Sequence, residues 1–275
     1  MDNKVFIGPM RVAVEAAEKG VVGDVLSLFR NPMNEGKVVV VVEGSDDEEV
    51  YAKVFNSTLS CIYVDGTCAK HYIILDALNA WYGSRLLAIK DADFDRLESV
   101  NHTYPNLLLT DTHDMEGLII EASLSNLIGE DAQRCQGIDL TEIYSELESV
   151  SYLKWYSYHY GVGLNFSEVV LDLNMEDYFQ SVVEHTNNEI AVTLADVAVF
   201  KSQHVGAPKE QLVNGHDIFE RVYFRAKVFN KVNFPKRPFF RRLRKAYPED
   251  EFVNTSLFCD IKRWEKTNGR TILAR

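Results

Sequence analysis

Hydrophobic residues in the first half of the chain fall into short, dense runs separated by stretches of helical spacing. Val38–Val42 is an unbroken run of valine, and Cys61–Val64, Leu86–Ile89 and Leu107–Leu109 are further short apolar runs. A run that is apolar at every position suits a strand buried on both faces, as in a parallel sheet covered by helices. Between the runs the pattern predicts one helix from Ser45 or Asp46 and another from about Cys68 to Tyr82. A third is expected to run to about Ile128. Ser45 or Asp46 can cap the first of these, with Glu48 or Glu49 in its opening turn. Four strands alternating with helices over residues 38–128 predict βαβ units and an α/β fold with a Rossmann-like parallel sheet.

Upstream, residues 10–30 carry apolar side chains at roughly helical spacing around Gly20 and Gly23, which predicts a short helix before Asn31-Pro32. Beyond Gly129 the alternation of strand and helix stops. Residues 140–156, 175–184 and 190–200 read as helices, and Pro208, Pro235, Pro238 and Pro248 punctuate the rest. The expected division is a helical segment over 1–37, an α/β domain over 38–130 and a mainly helical region over 131–275.

Composition adds limits. The 275 residues, 46% hydrophobic and 25% charged, describe an ordinary globular chain with material for a real core. No apolar run near the start is long enough to span a bilayer, and residues 1–30 lack the layout of a signal peptide, so a cytoplasmic protein with no membrane partner is expected. Cys61, Cys68, Cys135 and Cys259 show no metal-binding spacing and are expected to be reduced thiols. The net charge of −12 argues against indiscriminate coating of nucleic acid. From Arg221 to Lys245, however, ten Lys or Arg occur with no Asp or Glu. Lys227, Lys231, Lys236, Arg237, Arg241, Arg242, Arg244 and Lys245 are the candidates for holding a phosphate backbone. Tyr223, Phe224, Phe229, Phe234, Phe239, Phe240 and Tyr247 are interleaved with them and could stack on unpaired bases, a combination suited to RNA. The alternative is a buried aromatic core with a solvated cationic face.

The candidate chemistry lies at the ends of the strands, each of which stops close to an acidic residue. Leu86–Ile89 empties into Asp91, Asp93 and Asp95, and Val42 is followed by Glu43. In open α/β sheets ligands bind at the carboxyl edge. Crowded carboxylates repel one another, and a hard cation such as Mg²⁺ offsets that repulsion through oxygen ligands. If the first and third strands are neighbours, Glu43, Asp91 and Asp93 meet. Asp47, one helical turn beyond Glu43, can reach the same space. Asp-rich turns also arise simply as backbone caps, and Asp46 and Asp95 are expected to be capping or solvated. His113 is expected to be a structural hydrogen-bonding residue. Glu116 opens a helix, where an acid also favours the positive end of the dipole. His216, beside Asp217, is a candidate to act on a scissile phosphate, or else a cap.

The Val42-Glu43-Gly44 turn and the later Asp91-Ala92-Asp93 together resemble the Toprim domain of topoisomerases, primases and OLD-type nucleases. The Glu43 to Asp47 spacing looks more like the OLD-type members. VEGSDDEEVY, DADFD and THDMEGL resemble a branch of stand-alone Toprim proteins encoded beside ABC-type or OLD-type ATPases, which includes the toxin of an anti-phage system. The resemblance covers residues 38–128, with Asn214-Gly215-His216-Asp217 as its only trace further on. It implies metal-dependent phosphodiester cleavage, with Glu43, Asp91 and Asp93 holding Mg²⁺ or Mn²⁺. Asp47 and Glu116 would serve a second ion or position the first, and Glu43 remains open as ligand or as general acid-base group. The implied activity is that of a toxic effector cutting tRNA or another structured RNA under the control of a partner ATPase. The chain has no Walker A motif of its own, and a homo-oligomer is left open. An OLD-type DNA endonuclease and a non-catalytic Toprim binding subunit are the competing readings. Asp-x-Asp sugar transfer leaves Glu43 and Asp47 unexplained, and a haloacid-dehalogenase phosphatase wants a hydroxyl where Asp95 stands.

Overall fold

The computed structural model describes residues 20–167, 169–171, 174–186, 192–230 and 233–274. Residues 10–19 of the expected first helix, and Lys231, lie outside that set. The described chain forms two compact units that interleave in sequence.

The first unit takes in residues 20–91, 102–110 and 248–274. Its elements are α1 (Val21–Arg30), β1 (Val38–Val42), α2 (Ser45–Val54), β2 (Ser60–Val64), α3 (Cys68–Tyr82), β3 (Leu86–Lys90), β4 (Leu107–Leu109) and α12 (Ser256–Asn268). All four strands are parallel, in the order β2-β1-β3-β4. Val40 lies opposite Ile62 on one side and Leu87 on the other, and Ile89 lies opposite Leu108. Every position of β1 and β3 is buried, which is why both read as unbroken apolar runs. One face packs Val39, Val41, Leu86 and Ala88 against Val25 and Phe29 of α1 and Ile74, Leu75 and Leu78 of α3. Phe29 stacks on Tyr82 with centroids 4.1 Å apart.

The sequential blocks expected at 38–130 and 131–275 are not the compact units. The chain returns to the sheet at Pro248, and α12 packs against β4. The last residues are tied down through Leu273, which bridges Phe55 antiparallel, and through Glu265. Glu265 is buried and accepts the amides of Ile272 and Leu273 at 2.6 and 3.0 Å.

The second unit takes in residues 92–101 and 111–247. It contains α4 (Met115–Ser125), α5 (Gly129–Arg134), α6 (Leu140–His159), α7 (Met175–His185), α8 (Leu194–Gln203), α9 (Lys209–Leu212), α10 (Gly215–Asn230) and α11 (Lys236–Ala246). Its core joins Phe94 to Val150, Leu153 and Trp155 of α6, Tyr178 and Val182 of α7, and Phe200 of α8. Asp114 links two helix starts within this unit, accepting the Gly117 amide at 2.8 Å and the Gly215 amide at 2.7 Å. Burial pushes the pKa of Asp114 up, with Asp217 adding to that push and His113 and the two amides opposing it. Among the described residues, no helix is long and apolar enough to cross a membrane.

Candidate metal centre

The strand order reverses at β1: the chain steps outward to β2 and then crosses back to β3 on the other side. Loops leaving β1 and β3 therefore diverge, and the crevice at the carboxyl ends of such a pair is where open α/β sheets bind ligands. Glu43 is the first residue past β1, and Asp91 the first past β3. The condition set by the sequence, that these strands be neighbours, is met, and the Asp91 amide donates to Glu43 Oε1 at 3.1 Å. On its other side Glu43 accepts the Gly66 amide at its backbone carbonyl, at 2.8 Å. Glu43 is thus fixed to the turns after both β2 and β3. Lys90 is buried, and its Nζ donates to the Asp91 carbonyl at 2.7 Å, which places a positive charge beside the acidic edge.

Asp47 has a structural task. Its Oδ2 accepts the Gly44 amide at 2.7 Å, completing the side-chain-to-backbone half of a box at the start of α2. The helix cap is Gly44 with Asp47 as its partner, rather than Ser45 or Asp46.

Beneath this edge lies a buried pair that the sequence pattern does not single out. His71, in α3, sets Nδ1 2.9 Å from the Asp65 carboxylate and Nε2 3.0 Å from the Ile89 carbonyl, and both side chains of the pair are fully buried. A carboxylate beside one ring nitrogen and a carbonyl at the other both favour the protonated ring. Burial works against that charge. The Asp65 carboxylate, the negative charge of Glu43 and the Ile89 carbonyl together outweigh it, and the His71 pKa is raised. The ring ties the turn after β2 to the end of β3, which are the two supports of Glu43. Removing one partner of a buried ion pair costs about 3–5 kcal/mol, so His71→Gln is expected to lower the urea midpoint strongly. A raised folded-state pKa gives stabilisation that is complete below the ordinary histidine range near about 6.5 and is lost as pH rises through the folded-state value. The stability gap between wild type and His71→Gln should therefore narrow between pH 6 and pH 9. A gap that widens over this range would refute the imidazolium.

The other expected site residues fall in the helical unit. Asp93 begins a turn with φ at +46°, an uncommon conformation for a residue other than glycine, and its amide donates to the His113 carbonyl at 2.7 Å. Its carboxylate is 4.0 Å from His113 Nε2. His113 is structural: its amide donates to Glu210 and its Nδ1 lies 3.2 Å from the Gln211 carbonyl. Asp95 is not solvated: it is buried and accepts the Tyr158 hydroxyl at 2.5 Å. Glu116 lies 3.7 Å from the Arg244 guanidinium. His216 is exposed, 3.6 Å from Glu220.

The basic stretch is less basic in space than in sequence. Arg221 and Arg225 of α10 pair with Glu146 and Glu142 of α6, Lys236 with Glu220, and Arg242 with Asp131. Arg244, expected to contact phosphate, is instead buried against Glu116, because it lies on the apolar side of α11 with Phe240 and Leu243. Phe234, Phe239, Phe240 and Tyr247 are likewise buried and unavailable for stacking. Lys227, Arg237, Arg241 and Lys245 are exposed.

Glu43 and Asp91 offer carboxylate oxygens, and His71 turns Nε2 to the Ile89 carbonyl and Nδ1 to the Asp65 carboxylate, so an ion held by the two acids would be a hard cation rather than zinc. Among the described residues, no group of three or more His, Cys, Asp or Glu is arranged as a ready-made cation cage. The fold and crevice define an α/β protein with a parallel sheet and two acidic residues, Glu43 and Asp91, directly after the strands at its topological switch point. Neither the models of known protein families nor the curated proteins contain a match to this chain.

Proposed function

We propose that the chain is a Mg²⁺-dependent nuclease of the Toprim type that cleaves tRNA or another structured RNA. We assign it the role of toxic effector in anti-phage defence, held in check by an ABC-type or OLD-type ATPase, in the manner of the AriB toxin and its AriA partner. The observation that carries the reading is the Glu43 to Asp91 contact at the switch point of the sheet. Glu43 and Asp91 would hold the cation. A bound divalent cation makes a water more acidic and stabilises the departing oxygen of a phosphodiester. Glu43 orients the edge by accepting the Asp91 amide, and the Asp65–His71 pair fixes the turns on either side of it.

Exposed Arg237, Arg241 and Lys245 would contact the RNA backbone. Each phosphate contact on a single strand steepens the dependence of log K on log salt by roughly 0.7. The triple alanine variant is thus expected to reduce that slope by about 2, and an unchanged slope would exclude α11 from the interface.

The test of the function is incubation of the purified chain with tRNA and with DNA in Mg²⁺, alongside a Glu43→Gln control. Glu43-dependent loss of tRNA supports the reading, whereas cutting of DNA alone would favour an OLD-type DNA endonuclease. A second reading, a non-catalytic binding subunit, predicts no Mg²⁺ binding by calorimetry.

A further inference from the structure

Within the helical unit a cleft of about 1050 Å³ opens beside α6, α7 and the first turns of α10. That is at the upper end of the volumes that hold small organic ligands. Its cations are already answered by carboxylates. Lys154 Nζ is 2.5 Å from Asp217, with both side chains largely buried, Lys236 pairs with Glu220 at 2.5 Å, and Arg221 pairs with Glu146 at 2.5 Å. A phosphate entering the cleft would have to compete with ion pairs already formed, and breaking a partly buried pair is costly. The interior therefore suits an uncharged group.

The apolar surface left open in the cleft comes from Val170 and from one aromatic ring, Phe224. Phe224 is 52% exposed, while the phenylalanines that follow it at 234, 239 and 240 are buried. The Arg221 guanidinium lies 4.9 Å from the centre of the Phe224 ring, which holds that ring in place from one side. A half-exposed ring at the wall of a roomy, charge-balanced cleft offers a stacking platform for a flat heteroaromatic group. Lys236, paired with Glu220, begins α11 at the edge of the cleft, and beyond the lining Arg237 and Arg241 follow as exposed residues on the same helix. A neutral interior with basic residues beyond its edge matches the two halves of a nucleotide in a strand, the base inside and the phosphates outside.

We propose that this cleft receives one unpaired nucleobase of a single-stranded RNA segment, stacked on Phe224, with the flanking phosphates on the exposed cations of α11. The proposal rests on the nuclease reading only for the kind of strand expected. It is tested with the full chain in EDTA, where no cleavage occurs, using a single-stranded RNA hexamer carrying 2-aminopurine. Wild type is expected to change the probe's fluorescence on binding. Phe224→Ala should bind about 10-fold more weakly or worse, and Phe224→Trp should restore the affinity. The proposal is overturned if Phe224→Ala binds within twofold of wild type, if the hexamer binds without a fluorescence change, or if it does not bind. The two readings fail separately. Glu43-dependent cleavage of tRNA together with an indifferent Phe224→Ala removes the cleft alone. Base binding in EDTA with no cleavage in Mg²⁺ upholds the cleft and removes the nuclease.

Discussion

Glu43→Gln and Asp91→Asn are each expected to lower the cleavage rate by on the order of 10³-fold, about 4 kcal/mol of transition-state stabilisation, with little change in thermal stability. In Glu43→Gln the side-chain amide oxygen can still accept the Asp91 N–H, so the crevice should keep its shape while losing one negative charge. Asp47→Ala should behave in the opposite way. Asp47 is tied to the Gly44 amide, and losing such a cap costs about 1 kcal/mol of stability, with cleavage reduced by no more than about 10- to 100-fold, the range for a residue that acts through a ligand. Single-turnover rates and melting curves on the three variants separate the assignments. If Asp47→Ala abolished cleavage while Glu43→Gln left it intact, the crevice between β1 and β3 would not be the reaction centre.

Gly215→Ala is expected to have the largest effect on folding. A Cβ at this position would lie 2.1 Å from Asp114 Oδ1 and 2.1 Å from the Gly117 amide nitrogen, far inside contact distance. The starts of α4 and α10 approach so closely that only a hydrogen fits, and Asp114 serves both amides from a fully buried position. Pushing the two helices apart adds the cost of overpacking to the loss of a buried hydrogen bond to a carboxylate, together roughly 3 kcal/mol or more. Amide exchange should show protection lost across α4 and α10. Full protection in Gly215→Ala would show that the two helix starts are not tightly apposed. The Asn214-Gly215-His216-Asp217 segment, a faint feature in the sequence, has a packing explanation at the glycine and an ion pair with Lys154 at the aspartate.

What can be read from the residues follows from how local the causes are. The four parallel strands are legible because each is a short apolar run, unbroken over β1 where both faces are buried, and the Glu43–Asp91 encounter follows once β1 and β3 adjoin. The end of α4 and the cap of α2 lie a residue or more from where the pattern puts them, since capping depends on which side chain turns back. The Asp65–His71 pair is invisible in the pattern, although Asp65 ends a strand and His71 lies early in the next helix, because a lone histidine carries no periodicity. The basic stretch misleads for a long-range reason. Its neutralising partners, Glu142, Glu146 and Asp131, stand some 80 to 110 residues earlier in the chain, so a count along the stretch cannot include them. The interleaving of the units is hidden in the same way, because α12 reads as one more helix until its place beside β4 is seen.

The route of the backbone has an evolutionary corollary. It departs from the sheet-bearing body after Thr110 and rejoins it at Pro248, with a shorter detour over residues 92–101. Both anchor points of the long detour belong to one body, which is the wiring of a domain inserted into a host. Such an insert can be lengthened, trimmed or exchanged between lineages without altering strand order or the residues at the strand ends. Changes in length between 111 and 247 should therefore be tolerated more readily than changes within the sheet-bearing body.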